Sequence, residues 1–122
     1  VRYMVDDVQA SVDWYVRCFG FEATISSPAF GSVQKGALRL LLSGKASSAG
    51  RPMPDGRLPA PGGWNRFPVI VADIAAEVER LKAQGVSFRN EILTGPGGSQ
   101  VLAEDPSGNL VELFQPDPAW NR

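Results

Sequence analysis

The chain has 122 residues, 43% hydrophobic and 20% charged, which suits one globular core of ordinary size and is too apolar for a disordered chain. Lys and Arg number 12 against 13 for Asp and Glu, a net charge of −1, which argues against the basic stripe of a nucleic-acid binder and against an electrostatic membrane binder. Histidine is absent, which excludes Ser–His and Cys–His catalysis within the chain and any zinc or iron site built on imidazole. No apolar run approaches the length that spans a bilayer. The single cysteine, Cys18, allows no intrachain disulfide and fits a reducing, cytoplasmic setting.

In chain order, Val1, Tyr3 and Val5 alternate with Arg2 and Met4, the period of a half-buried strand. Asp6 or Asp7 can cap the helix that follows. There Val8, Val12, Tyr15, Val16 and Phe19 recur at helical spacing, and Gly20 sits where a helix-ending glycine belongs. Candidate strands follow at 21–26, 32–34 and 37–42. Residues 43–63 hold four prolines and five glycines with no apolar period, and read as a loop, a linker in preference to a functional lid. The order then repeats. Phe67, Val69 and Val71 alternate, Asp73 caps, Ile74, Val78 and Leu81 form a stripe, and Gly85 ends the helix. Strands are expected at 87–91, 100–104 and 109–114, the last two joined by the turn Asp105-Pro106-Ser107-Gly108-Asn109. Gly95-Pro96-Gly97-Gly98 lacks the lysine of a phosphate loop and reads as a turn or flexible loop. The unit is βαβββ, twice, and a piece of about 45 residues cannot bury both its helix and its sheet alone, so the two are expected to pair.

Glu112 stands out within Leu110-Val111-Glu112-Leu113-Phe114. Alternation turns Val111 and Leu113 one way and Leu110, Glu112 and Phe114 the other. A carboxylate on an apolar sheet face must be paired, hydrogen-bonded or neutralised. Two readings stay open: a structural ion pair or solvated position, and a ligand-site acid, general base or metal ligand. Cys18, with no histidine to activate it, reads as a semi-buried thiol. Trp14-Tyr15 reads as helix packing, and Trp120 as a fold-back or a contact with a partner chain.

The paired units, the opening Val5-x-Asp7-Val8-x-x-Ser11-x-x-Trp14-Tyr15 with Phe19-Gly20-Phe21, and the closing Asp105-Pro106-Ser107-Gly108-Asn109-x-x-Glu112-Leu113 resemble the vicinal oxygen chelate superfamily. That group includes glyoxalase I, extradiol dioxygenases and bleomycin-resistance proteins. The resemblance covers nearly the whole chain outside the 43–63 loop. It implies an α+β fold in which two βαβββ units pair to form a cup-shaped mixed β-sheet with flanking helices around a ligand. The expected organisation is one domain, 1–122: unit one 1–43, linker loop 44–63, unit two 64–117. Metal-dependent members place ligands on the first and last strands of each unit. Carried over, the first-strand ligand falls one residue before Val1 and on Arg66, a cation that will not ligate a metal. The last-strand ligand falls on about Leu40 and on Glu112, which matches the family's glutamate.

The resemblance thus brings Arg66 and Glu112 into one cavity, where a guanidinium–carboxylate pair replaces the metal site, or Arg66 receives an anionic ligand. Trp64, after Pro61-Gly62-Gly63, is expected either to stack on a planar ligand at the cavity mouth or to seal the core edge or a dimer contact. Asn65, Met4, Leu40 and Phe114 are further expected lining residues, with the parity of Leu38, Leu40 and Leu42 against Ala37, Arg39 and Leu41 open. The function expected is small-molecule binding of the bleomycin-resistance kind, without a bound metal, in a cytoplasmic homodimer. The alternative is a metal-dependent lyase or isomerase using Glu112 as catalytic base or ligand, with a divalent metal and further ligands from upstream of Val1 or from a partner chain.

Overall fold

Two aspartates start the two helices. Ala10 N–H donates to Asp7 Oδ1 at 3.0 Å, opening α1 (Val8–Phe19); Ala76 N–H donates to Asp73 Oδ1 at 3.1 Å, opening α2 (Ile74–Ala83). Each bond satisfies one of the amides that a first turn leaves unpaired. Gly20 closes α1 at a left-handed φ of 70° with its N–H on the carbonyls of Tyr15 and Val16, a conformation that costs glycine least. The computed structural model describes residues 1–118; Trp120 lies outside them.

The chain divides into two compact units, Val1–Gly63 with Pro106–Asn109, and Trp64–Asp105 with the segment from Leu110 on. The first holds β1 (Arg2–Met4), β2 (Glu22–Ser26), β3 (Phe30–Lys35) and β4 (Leu38–Ser43), in the order β1-β4-β3-β2. Strand β1 runs parallel to β4 and the other pairs are antiparallel. The second holds β5 (Arg66–Ile70), β6 (Ser87–Phe88), β7 (Leu93–Gly95), β8 (Gly98–Glu104) and β9 (Leu110–Pro116), ordered β5-β9-β8-β6, with β7 also on β8. The β5–β9 pair repeats the parallel β1–β4 pair. This is the α+β class expected, with two helices and two mixed sheets.

Two local expectations change. The strand expected at 87–91 is only Ser87–Phe88, and pairing resumes in β7, which the sequence pattern did not show. Gly95 and Gly98 face each other across the β7–β8 hairpin, so the Gly-Pro-Gly-Gly segment is its turn. Val1 and Val16, placed on the apolar faces by period alone, are exposed. In the linker, Ser48–Gly50 forms a turn of 3₁₀ helix, and the Ser47 hydroxyl donates to Gly44 O at 2.6 Å.

The core of unit one is α1 against its sheet: Tyr15, Val33, Leu40 and Leu42 are fully buried. Unit two buries Leu81, Val101, Val111 and Leu113 in the same way. Gly98 has a φ of 146° and lies against the carbonyl of Gln115, where a Cβ would also meet Asp117 N at 3.0 Å. Backbone cannot give way as a side chain can, so Gly98→Ala is expected to lower unfolding free energy by about 2 kcal/mol or more, read from a urea midpoint.

Candidate functional site

Strands β5 and β9 run parallel with Arg66 beside Leu110, Pro68 beside Glu112 and Ile70 beside Phe114. Alternation therefore turns Phe67, Val69, Val111 and Leu113 to the face that α2 covers. Arg66, Pro68, Ile70, Leu110, Glu112 and Phe114 take the other face. There Arg66 Nε donates to Glu112 Oε1 at 3.0 Å, with the two side chains 33% and 17% exposed. A half-exposed pair of this kind contributes on the order of 1 kcal/mol; its main effect is to make a carboxylate tolerable beside Pro68 and Leu102, its neighbours across the sheet. Among the described residues this is the only hydrogen bond of either side chain. The guanidinium Nη groups and Glu112 Oε2 are left for other partners.

A second pair stands on the same face. Register places Glu104 beside Leu110, and Arg89 donates to Glu104 Oε2 from Nη2 at 3.1 Å and from Nε at 3.3 Å. The Arg89 guanidinium carbon lies 4.5 Å over the centre of the Trp64 ring, a cation–π distance. Trp64 is 67% exposed, so it does not seal the core edge. Arg89 and Glu104 were missed by the sequence reading; Glu104 was findable, since it keeps the parity of Leu102 and Gln100 along β8. Asn65 is exposed, and Phe114 is half-buried beside Ile70, which is 63% exposed.

In unit one, Met4 lies half-buried beside Ser43, whose hydroxyl accepts from Arg2 Nη1 at 2.9 Å. The parity of β4 is now fixed. Leu40 pairs with Val33, and both are fully buried on the side of α1. Leu40 is therefore a core residue and not a lining one; Arg39, Leu41 and Ser43 take the other face. Register also corrects the counterpart of Glu112: Pro68 pairs with Glu112 as Arg2 pairs with Leu41, so the equivalent position is Leu41, one residue later than the turn distance suggested. Asn109, buried at 3%, has a structural role: its Nδ2 donates to Met4 O at 2.8 Å and its Oδ1 accepts from Gly62 N at 2.9 Å.

The donor set does not fit a divalent metal. Among the described residues no three His, Cys, Asp or Glu side chains gather, and Glu112, the one residue matching a metal ligand, already holds a guanidinium at 3.0 Å, a cation where a second ligand would stand.

Two βαβββ units, each closing its sheet with a parallel first-to-last strand pair, define a class of small α+β proteins. The chain belongs to the Glyoxalase/Bleomycin resistance protein/Dioxygenase superfamily, whose family model matches residues 1–113. Among solved structures it is similar to the lactoylglutathione lyase of Agrobacterium tumefaciens, at 24% identity and a TM-score of 0.75 over 100% of this chain and 94% of that one. A superfamily member from Sphaerobacter thermophilus shares 25% identity, with a TM-score of 0.73 over 94% and 93% of the two chains. TnmS3, an antibiotic binding protein from Streptomyces sp. CB03234, shares 24% with a TM-score of 0.71 over 96% and 93%. No curated protein matches.

Proposed function

We propose that the chain is a small-molecule-binding protein that works without a divalent metal, using the open face of the second sheet as the floor of its site. The observation that carries this reading is the Arg66–Glu112 pair, joined through Nε and Oε1 at 3.0 Å with its remaining donors and acceptor uncommitted. A guanidinium that offers its Nη edge suits a carboxylate, phosphate or enolate oxygen. Glu112 Oε2 accepts from a hydroxyl or amine on the same ligand. Trp64, steadied by Arg89, offers a ring face to a planar body, and Ile70 and Phe114 supply apolar floor. Glu112 is in this reading an anchor and not a catalytic base. The similarity to an antibiotic binding protein supports an organic ligand of this amphipathic kind. The two units are read as one domain, and the protein as a cytoplasmic homodimer.

The test is a titration of naphthoate against naphthalenemethanol, followed by tryptophan fluorescence in the wild type and in Trp64→Phe. Naphthoate is expected to bind more tightly, by about 10-fold or more, with the signal lost in Trp64→Phe. Equal binding of the two compounds, or a signal that survives in Trp64→Phe, contradicts the reading.

A further inference from the structure

The edge of the second sheet is interrupted in a way that opens another site. Phe88 pairs with Ala103 and Leu93 with Gln100, so residues 89–92 stand against Val101 and Leu102 alone, a bulge with two extra residues. The corresponding edge of unit one carries only a single-residue shift, between Ala23 and Ile25. The bulge is pinned and not loose: Arg89 N–H donates to Leu102 O at 2.8 Å. Asn90 Oδ1 accepts from Leu102 N at 2.9 Å, taking the place of a ladder carbonyl.

Pushing the edge outward leaves a groove of about 940 Å³ between α2 and β8, within the range of small-molecule sites. The buried Val78, Val86 and Val101 lie beneath it, half-buried Phe88 forms its open floor and exposed Ile92 one wall. Val101 pairs with Leu113, on the α2 side of the sheet, so the groove opens on the face opposite the Arg66–Glu112 pair. Its rim is charged. Glu79 and Lys82 come from α2, and Arg89, Asn90 and Glu91 from the bulge. Among the described residues neither carboxylate nor the Lys82 ammonium makes an ion pair or hydrogen bond, while the Arg89 guanidinium is held by Glu104. The uncommitted rim charge is two negative against one positive, over an apolar floor.

We infer that this Asn90-pinned groove is a second binding site, for an organic cation with an apolar body, such as an alkyl- or arylalkylammonium. The tail lies along Ala75, Phe88 and Ile92, the accessible apolar lining over buried Val78 and Val101, and the ammonium sits between Glu79 and Glu91. The probe is decyltrimethylammonium, titrated below its micelle concentration into ¹⁵N-labelled full chain, with decyl sulfate as the anionic match. Saturable shifts are expected at the amides of Val78, Phe88, Ile92 and Val101, with the sulfate at least about 10-fold weaker. The double change Glu79→Gln, Glu91→Gln is expected to weaken the cation by about 10-fold and to bring the two probes together. Ala75 is exposed on α2 and lines the groove, so Ala75→Trp fills it without touching the core and is expected to abolish the shifts. Shifts centred on Trp64, Arg66 and Glu112, equal affinity for the sulfate, or no saturable shift would each overturn the inference.

Discussion

Tyr15→Ala is expected to lower the unfolding free energy by about 3–5 kcal/mol, a large part of the stability of a chain this size. Tyr15 is fully buried in unit one, with its ring edge-on to Trp14 at 4.8 Å and to Phe21 at 5.5 Å. The helix stripe and the strand after Gly20 are thus keyed together by one ring. Truncation removes its transfer free energy, both aromatic contacts and their packing, and leaves a cavity that rigid neighbours cannot close. Tyr15→Phe retains the ring and is expected to cost no more than about 1.5 kcal/mol. Urea titrations of the two variants measure the difference; a loss under about 1 kcal/mol for the alanine variant would show that this ring does not hold the unit.

Arg66→Ala and Glu112→Ala are expected to behave unequally. Arg66 is 33% exposed and Glu112 17%, so an orphaned guanidinium rehydrates more easily than an orphaned carboxylate between Pro68 and Leu102. Removing Arg66 is expected to cost about 1–3 kcal/mol, and removing Glu112 less than about 1 kcal/mol. Arg66→Ala with Glu112→Leu is expected to recover most of the loss, since replacing both partners by apolar groups removes the burial penalty. Arg66→Ala is expected to weaken naphthoate by about 30-fold or more because Arg66 supplies the charge-assisted bonds, whereas Glu112→Ala, which removes a like charge beside the ligand carboxylate, is expected not to weaken it. Chemical denaturation and the fluorescence titration read the two effects separately. Equal destabilisation by the two single variants would contradict the account of Glu112's surroundings.

The parts of this architecture that are local in sequence were legible there. Asp7 and Asp73 act on amides three residues further on and Gly20 through its own φ, so their effect is visible in type and position. The βαβββ repeat showed in the recurrence of alternation, cap and stripe. Strand parity placed Arg66 and Glu112 each opposite the apolar face of its own strand, but the pair itself was one of two readings that only the family resemblance offered; the 3.0 Å contact is a finding of the structure. What failed was register, which no single strand contains: Leu40 and Leu41 differ by one position, and only the pairing of Arg2 with Leu41 decides between them. The Arg89–Glu104–Trp64 group was hidden for the same reason. Its members come from three separate segments, and the bulge that ends β6 at Phe88 depends on Asn90 reaching a backbone amide on β8.

In the proposed reading the Arg66 guanidinium stands where metal-dependent members of the superfamily carry a metal ligand, and the chain binds no divalent metal. This reading is tested most directly by elemental mass spectrometry of the tag-free protein after incubation with Mn²⁺, Ni²⁺, Zn²⁺ and Fe²⁺ and desalting. Metal well below one per chain is the expected result, unchanged in Glu112→Ala. Near-stoichiometric metal in the wild type that disappears in Glu112→Ala would contradict it.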